Sequence, residues 1–211
     1  MEDALAAVDA GADAVGLNFY GQSSRYVKPE MAKEIVAKIS SDVVPVGLFV
    51  NHSKEDIESI CDEVGLQMVQ LHGDETPAFF GQLDNDIKII WARRVSDEGT
   101  GLQDIGLHLQ SCSKNPPGHL PAAVLLDASS PGYYGGMGKR ITLTDLPNYK
   151  EHFHGLPLIL AGGLTPENVA EAIRIVGPHG VDVASGVESS PGIKDRAKMQ
   201  AFVDAAKAAF S

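Results

Sequence analysis

MEDALAAVDAGADAVGLNFYGQSSRYV, residues 1–27, sets apolar and acidic positions at helical spacing as far as Ala10, breaks at Gly11, and enters an apolar run at 14–19. The first part reads as an amphipathic helix with a glycine stop and the second as a buried strand. A helix that feeds straight into a strand is half of a repeating unit, whose other half is a strand in front of the helix.

The unit recurs along the chain. Strands are expected at 14–19, 43–50 (VVPVGLFV), 67–72 (QMVQLH), 87–93 (IKIIWAR), 122–127 (AAVLLD), 156–161 (LPLILA) and 180–184 (GVDVA), seven in all. Helices are expected over 29–39, from the cap Ser53 through Glu55 and Asp56 to Gly65, over 75–83, 102–112, 165–176 with Pro166 at the first helical position, and 194–210. The strands are short and almost continuously Val, Leu and Ile, as parallel strands covered on both faces must be. Alternation of such strands with helices means an α/β domain, either an open doubly wound sheet or a closed barrel. Seven strands plus the leading helix make seven and a half units, and eight close a TIM (β/α)8 barrel. The expectation is one barrel domain over 1–211 with its first strand missing, and about ten to twenty further residues upstream in the full gene product. The segments 96–118 and 131–155, rich in Gly and Pro, carry less helical signal.

Composition narrows the partners. Seventeen Lys and Arg against twenty-eight Asp and Glu leave a formal charge of -11, which argues against nucleic acid or an anionic membrane surface. A small anion is still accommodated, because backbone N–H groups can hold a phosphate locally. Cys61 and Cys112 form neither a disulfide framework nor a zinc pattern, and with no eighteen-residue apolar run and no leader the expected location is cytoplasmic.

In a β/α barrel, chemistry gathers where strands end. Those ends carry Asn18, Asn51, His72, Arg93 and Arg94, Asp127, Gly162 and Gly163, and Ser185 and Gly186. AGGLTPENV and ASGVESSPGIKD, at adjacent units, each offer unshielded N–H groups to an anion, although glycine pairs also serve plain turns. Asp127 at the mouth of an apolar strand suits a general acid held protonated by desolvation, or a loop cap. Arg25 can grip a carboxylate or phosphate with two prongs, or lie solvated. His72 lacks convergent partners for a metal and reads as structural or ligand-touching. GGMGK resembles a fragment of a phosphate loop, with Arg140 where a Ser or Thr would stand.

Taken in order, GADAVGLNF with SSRYV, VGLFVN, VQLHGDE, LLDAS with GGMGK, LILAGGLTPENV and GVDVASGVESSPGIKD resemble the phosphoribosylanthranilate isomerase family, from about Ala4 to Phe210. The resemblance implies an eight-stranded β/α barrel that performs an Amadori rearrangement on a small phosphorylated substrate without cofactor or metal, as a monomer or homodimer. It places the family's acid on Asp127, the arginine for the anthranilate carboxylate on Arg25, and the phosphate-holding backbone on Gly162, Gly163, Ser185 and Gly186. His72 and Asp182, the latter within the last strand, match positions nearer the pocket wall. The family's base is a cysteine in a Lys-Ile-Cys-Gly motif at the end of the first strand, and neither Cys61 nor Cys112 stands at such a place. Other readings are a ribulose-phosphate epimerase, which needs more metal ligands than His72 offers, an indole-glycerol-phosphate synthase, which needs a lysine at a strand end, and an impaired barrel that still binds phosphorylated ligand.

Overall fold

The structure, a computed structural model, describes residues 1–94, 101–114, 120–127, 146 and 148–211. Seven parallel strands form one curved sheet in sequence order: β1 (Ala14–Asn18), β2 (Val44–Phe49), β3 (Met68–Leu71), β4 (Lys88–Arg94), β5 (Ala123–Asp127), β6 (Leu158–Ala161) and β7 (Gly180–Val181). Helices α1 (Glu2–Asp9), α2 (Pro29–Val36), α3 (Lys54–Val64), α4 (Pro77–Phe80), α5 (Leu102–Lys114), α6 (Tyr149–His152), α7 (Val169–Val176) and α8 (Arg196–Phe210) cover its outer side. Strictly neighbouring order with a helix in every crossover is the topology of a β/α barrel, and all seven expected strands are present. Strands β1 and β7 are the two ends of the sheet, and α8 packs on both α7 and α1, so the helical layer runs on from one end to the other.

Alternation divides the side chains into two cores. Leu17, Phe49, Val69, Leu71, Ile89, Trp91, Val124, Leu126, Leu158 and Leu160 point outward into one large core with the helices. Val46, Ile90, Ala92, Ala123, Leu125 and Ala161 form a small core inside the curve of the sheet. Local signals explain the element ends. Ser53 Oγ accepts the Asp56 N–H at 3.1 Å and Gly65 ends α3 at φ 82°, the left-handed value that favours glycine.

Several expected boundaries move for identifiable reasons. Helix α7 begins at Val169, and Pro166 lies in a preceding turn, because Asn168 turns back to the loop: its Oδ1 accepts from Thr165 N at 2.8 Å and its Nδ2 donates to Gly163 O at 3.0 Å. Helix α4 is shorter than 75–83, since the Glu75 carboxylate is engaged by loop backbone. Strand β7 has two residues, so Asp182 follows the strand instead of lying within it, although its N–H still reaches Leu160 O at 2.9 Å. Beyond it come a 3-10 turn (Ser185–Val187) and an antiparallel pair absent from the sequence reading, β8 (Glu188–Ser190) with β9 (Ile193–Lys194). GGMGK, Arg140 and the residues after Asp127 in LLDAS lie outside the described residues.

Candidate active site

Side-chain parity selects which strand-end groups share the inner face. Counting by twos from the inner-core positions Ile90 and Ala92 brings Arg94 inward, whereas Arg93 goes outward and stacks on Trp91, with its guanidinium carbon 5.1 Å from the ring centroid. The same count from Ala123 and Leu125 brings in Asp127, and the residues after Met68 on that face are Gln70 and His72. Register then sets the level: Arg94 pairs across to Asp127, and Asp127 to Ala161, which leads into Gly162 and Gly163.

His72 and Asp127 come together, with Nε2 3.8 Å from Oδ2 and both side chains less than a fifth exposed. Gln70 Nε2 lies 3.0 Å from His72 Nδ1. Burial lowers the His72 pKa; the Asp127 charge raises it, the Arg94 charge lowers it further, and Glu75 raises it. Glu75 itself is buried and accepts from Asn51 N and Gly73 N, both at 2.7 Å, while Asn51 Nδ2 donates to Asp74 Oδ2 at 3.1 Å. The loops after β2 and β3 are thus tied together beside His72. Desolvation pushes the Asp182 carboxyl up, opposed by Lys194 and reinforced by Asp127, although the residue keeps an exposed face.

The glycine loops also adjoin. Gly162 and Gly163 have φ of 91° and 64°, conformations that glycine adopts without strain. Gly186 lies so close to the Leu164 carbonyl that a Cβ there would overlap it. Ser185 opens the 3-10 turn that follows. The loops after β6 and β7 therefore form one continuous surface.

Arg25 is held by its own loop and by the segment after the last strand. Asn18 Oδ1 accepts from Tyr20 N and Ser23 Oγ from Arg25 N, so the loop leading to Arg25 is held by its own side chains. Its guanidinium pairs with Glu188: Nε to Oε1 at 2.6 Å and Nη2 to Oε2 at 2.8 Å. Sequence reading missed Glu188 as a site residue, and no local pattern could have found it, because the pair spans 163 positions. Arg93 and Arg94 are adjacent and equivalent by composition; only counting by twos along β4 separates them.

Neither cysteine stands at a strand end. Cys61, in α3, and Cys112, in α5, are buried in the outer core, and burial pushes the Cys61 thiol up to about 12. Among the described residues no group of three His, Cys, Asp or Glu could hold a metal ion, and no helix is long and apolar enough to cross a membrane.

A parallel sheet of this order, with polar groups gathered at the carboxyl ends of its strands, defines a β/α-barrel protein. Residues 1–205 match the family model for N-(5'phosphoribosyl)anthranilate (PRA) isomerase. The N-(5'-phosphoribosyl)anthranilate isomerase of Thermotoga neapolitana is 44% identical over 207 residues, 98% of this chain and 94% of that protein; that of Chlorobaculum parvum is 42% identical, over 98% and 90%. The crystal structure of phosphoribosyl anthranilate isomerase from Thermotoga maritima superposes with a TM-score of 0.81 at 39% identity, covering 98% of this chain and 94% of that one. Another, in complex with reduced 1-(o-carboxyphenylamino)-1-deoxyribulose 5-phosphate, gives 0.80 at 37% identity over 98% and 93%. The chain belongs to the N-(5'-phosphoribosyl)anthranilate isomerase family, the isomerases of tryptophan biosynthesis.

Proposed function

We propose that Asp127 is the general acid of an Amadori rearrangement that converts N-(5'-phosphoribosyl)anthranilate to 1-(2-carboxyphenylamino)-1-deoxyribulose 5-phosphate. Asp127 protonates the ribose ring oxygen, and the ring opens to an iminium ion. Loss of the C2 proton to a base then gives an enol, which tautomerises to the ketone. The resemblance puts the base in a Lys-Ile-Cys-Gly motif, which residues 1–211 do not contain, and a thiol as buried as Cys61 is no substitute. The loops carrying Gly162, Gly163, Ser185 and Gly186 hold the phosphate through backbone N–H groups, Arg25 grips the ring carboxylate, and His72 and Asp182 line the wall between.

The observation that carries this reading is the inward placement of Asp127, one strand from the glycine pair and 3.8 Å from His72. The reading takes residues 1–211 as one barrel domain and the two free buried cysteines as fitting a reducing, cytoplasmic setting. A Thermotoga maritima relative is described as dimeric, and a homodimer or a monomer is the expected state here. Asp127→Asn, made in a chain that also carries the family's Lys-Ile-Cys-Gly strand, tests the assignment. Turnover should fall by about 10²-fold to 10⁴-fold, the usual worth of a positioned proton donor, while the affinity for the reduced product analogue stays near the wild-type value. Retained turnover would overturn it.

A further inference from the structure

Arg25 is not a free guanidinium waiting for a ligand. Glu188 takes its side edge, the Nε and Nη2 hydrogens, with a carboxylate only 6% exposed. A guanidinium has five N–H donors in a planar fork, so this pairing leaves the Nη1 hydrogens and the second Nη2 hydrogen, which together form a second two-pronged edge. The Arg25 side chain remains 34% exposed. Behind the pair stands Lys194, whose Nζ lies 3.4 Å from Glu188 Oε1 and donates to Ala184 O at 2.7 Å; Lys198 Nζ holds the Glu188 backbone carbonyl at 2.8 Å.

We infer that Glu188 and Lys194 are positioning residues for the ring-carboxylate subsite: Glu188 locks the side edge of Arg25 so that the end edge faces the substrate, and Lys194 supplies the charge that a second carboxylate needs. This rests on the reading of Arg25 given above. Arg25 and Glu188 alone are neutral, and although a carboxylate on the end edge would lie nearer Arg25, repulsion from Glu188 would offset much of the attraction. With Lys194 the cluster carries one positive charge and becomes neutral when the ligand binds. Locking also means that the long arginine side chain has lost its rotamer freedom before the ligand arrives. Arg25 comes from the loop after β1 and its two supports from the β8 and β9 pair after the last strand, so the subsite joins the two ends of the sheet.

The test is a ratio measured by calorimetry on each variant: affinity for reduced 1-(o-carboxyphenylamino)-1-deoxyribulose 5-phosphate over affinity for its counterpart without the ring carboxylate. A ratio is insensitive to the fraction of protein folded. Wild type should prefer the carboxylated ligand, and Arg25→Ala should bring the ratio near one. Glu188→Gln and Lys194→Gln should each lower it by about tenfold, the worth of one charge-assisted hydrogen bond, with less than a twofold change for the counterpart. If Arg25→Ala lowers the ratio and neither other variant does, the positioning role falls while the reading of Arg25 stands. If wild type shows no preference, the reading of Arg25 falls first and the positioning role with it.

Discussion

His72 Nε2 faces Asp127 Oδ2 across 3.8 Å with no hydrogen-bond partner among the described residues, while Nδ1 is occupied by Gln70 at 3.0 Å. With the Gln70 amide nitrogen donating, Nδ1 accepts, so the ring proton sits on Nε2 and points toward the carboxylate. Burial is the first cause of the lowered His72 pKa, and the Asp127 charge pulls against it. The two residues are coupled in a definite direction: the aspartate makes the imidazole easier to protonate, and burial prevents that near neutral pH.

The His72 ring should therefore titrate, by NMR, with a midpoint below the ordinary histidine value of about 6.5. Asp127→Asn should lower that midpoint further by removing the charge that raises it, and Arg94→Ala should raise it. The sign for stability follows from linkage. Between the folded and unfolded values the unfolded chain binds more protons, so the contribution of neutral His72 is complete above the ordinary value and is lost as pH falls through it toward the folded one. A midpoint above 6.5, or one unmoved by Asp127→Asn, would show that the two groups are not coupled in this way.

Gly186 carries the second expected outcome. A methyl group there would meet the Leu164 carbonyl oxygen and the Thr165 Cα, backbone atoms that cannot turn aside as a flexible side-chain end could. Gly186→Ala should part the loops after β6 and β7, at a cost of about 1–3 kcal/mol or more, and weaken binding of inorganic phosphate. Gly163→Ala meets no atoms within 4 Å but sits at φ 64°, so its cost is backbone strain alone. Chemical denaturation and phosphate calorimetry on both variants separate the two. Unchanged phosphate binding in Gly186→Ala would mean that loop contact does not shape the anion site.

How much of this was legible beforehand depends on the range of each interaction. Periodicity is local, and it correctly placed β1 to β7 and most helices, since Val, Leu and Ile runs punctuated by Gly65 or Gly11 need only neighbours to be read. Asp127 and His72 were reachable because a barrel puts every strand end at one rim. Pairing across the fold was not: Glu188 finds Arg25 over 163 residues, and Lys194 N finds Asp3 Oδ2 over 191. The start of α7 was misread because the Asn168 side chain satisfies the loop instead of the helix, a choice between two backbone partners that sequence leaves open.

The cysteines supply a negative prediction. A thiol held near 12 is about one part in 10⁵ thiolate at pH 7, so Cys61 should be inert to alkylating reagents in the native protein and reactive once unfolded. Cys112 is buried too, with its thiol raised by desolvation. A Cys61→Ala, Cys112→Ala double variant should keep the product-analogue affinity of the wild type within about twofold, at a stability cost of about 1–3 kcal/mol for the lost packing. Rapid native modification of either thiol, or loss of ligand affinity in a folded double variant, would give the cysteines a place in the site.

The Arg25 and Glu188 pair has its own pH signature. Hydrogen bonds from Arg25 are the first cause of the lowered Glu188 pKa, with burial opposing and Lys194 assisting. A carboxylate depressed in the folded state contributes stability above its unfolded value, and the contribution disappears as pH falls through the folded one. Replacing it by Glu188→Gln should therefore destabilise the protein near neutral pH by about 1–2 kcal/mol, less than for a fully buried pair because Arg25 keeps 34% of its side chain exposed. Urea unfolding from about pH 7 to about pH 3 should show this gap constant at first, then narrowing from the ordinary glutamate range of about 4 downward. The salt dependence should still be weak, because Glu188 is only 6% exposed and ions screen it poorly. A gap that stays flat to pH 3, or that closes above pH 5, would mean that the ionised carboxylate of Glu188 is not what holds Arg25 in place.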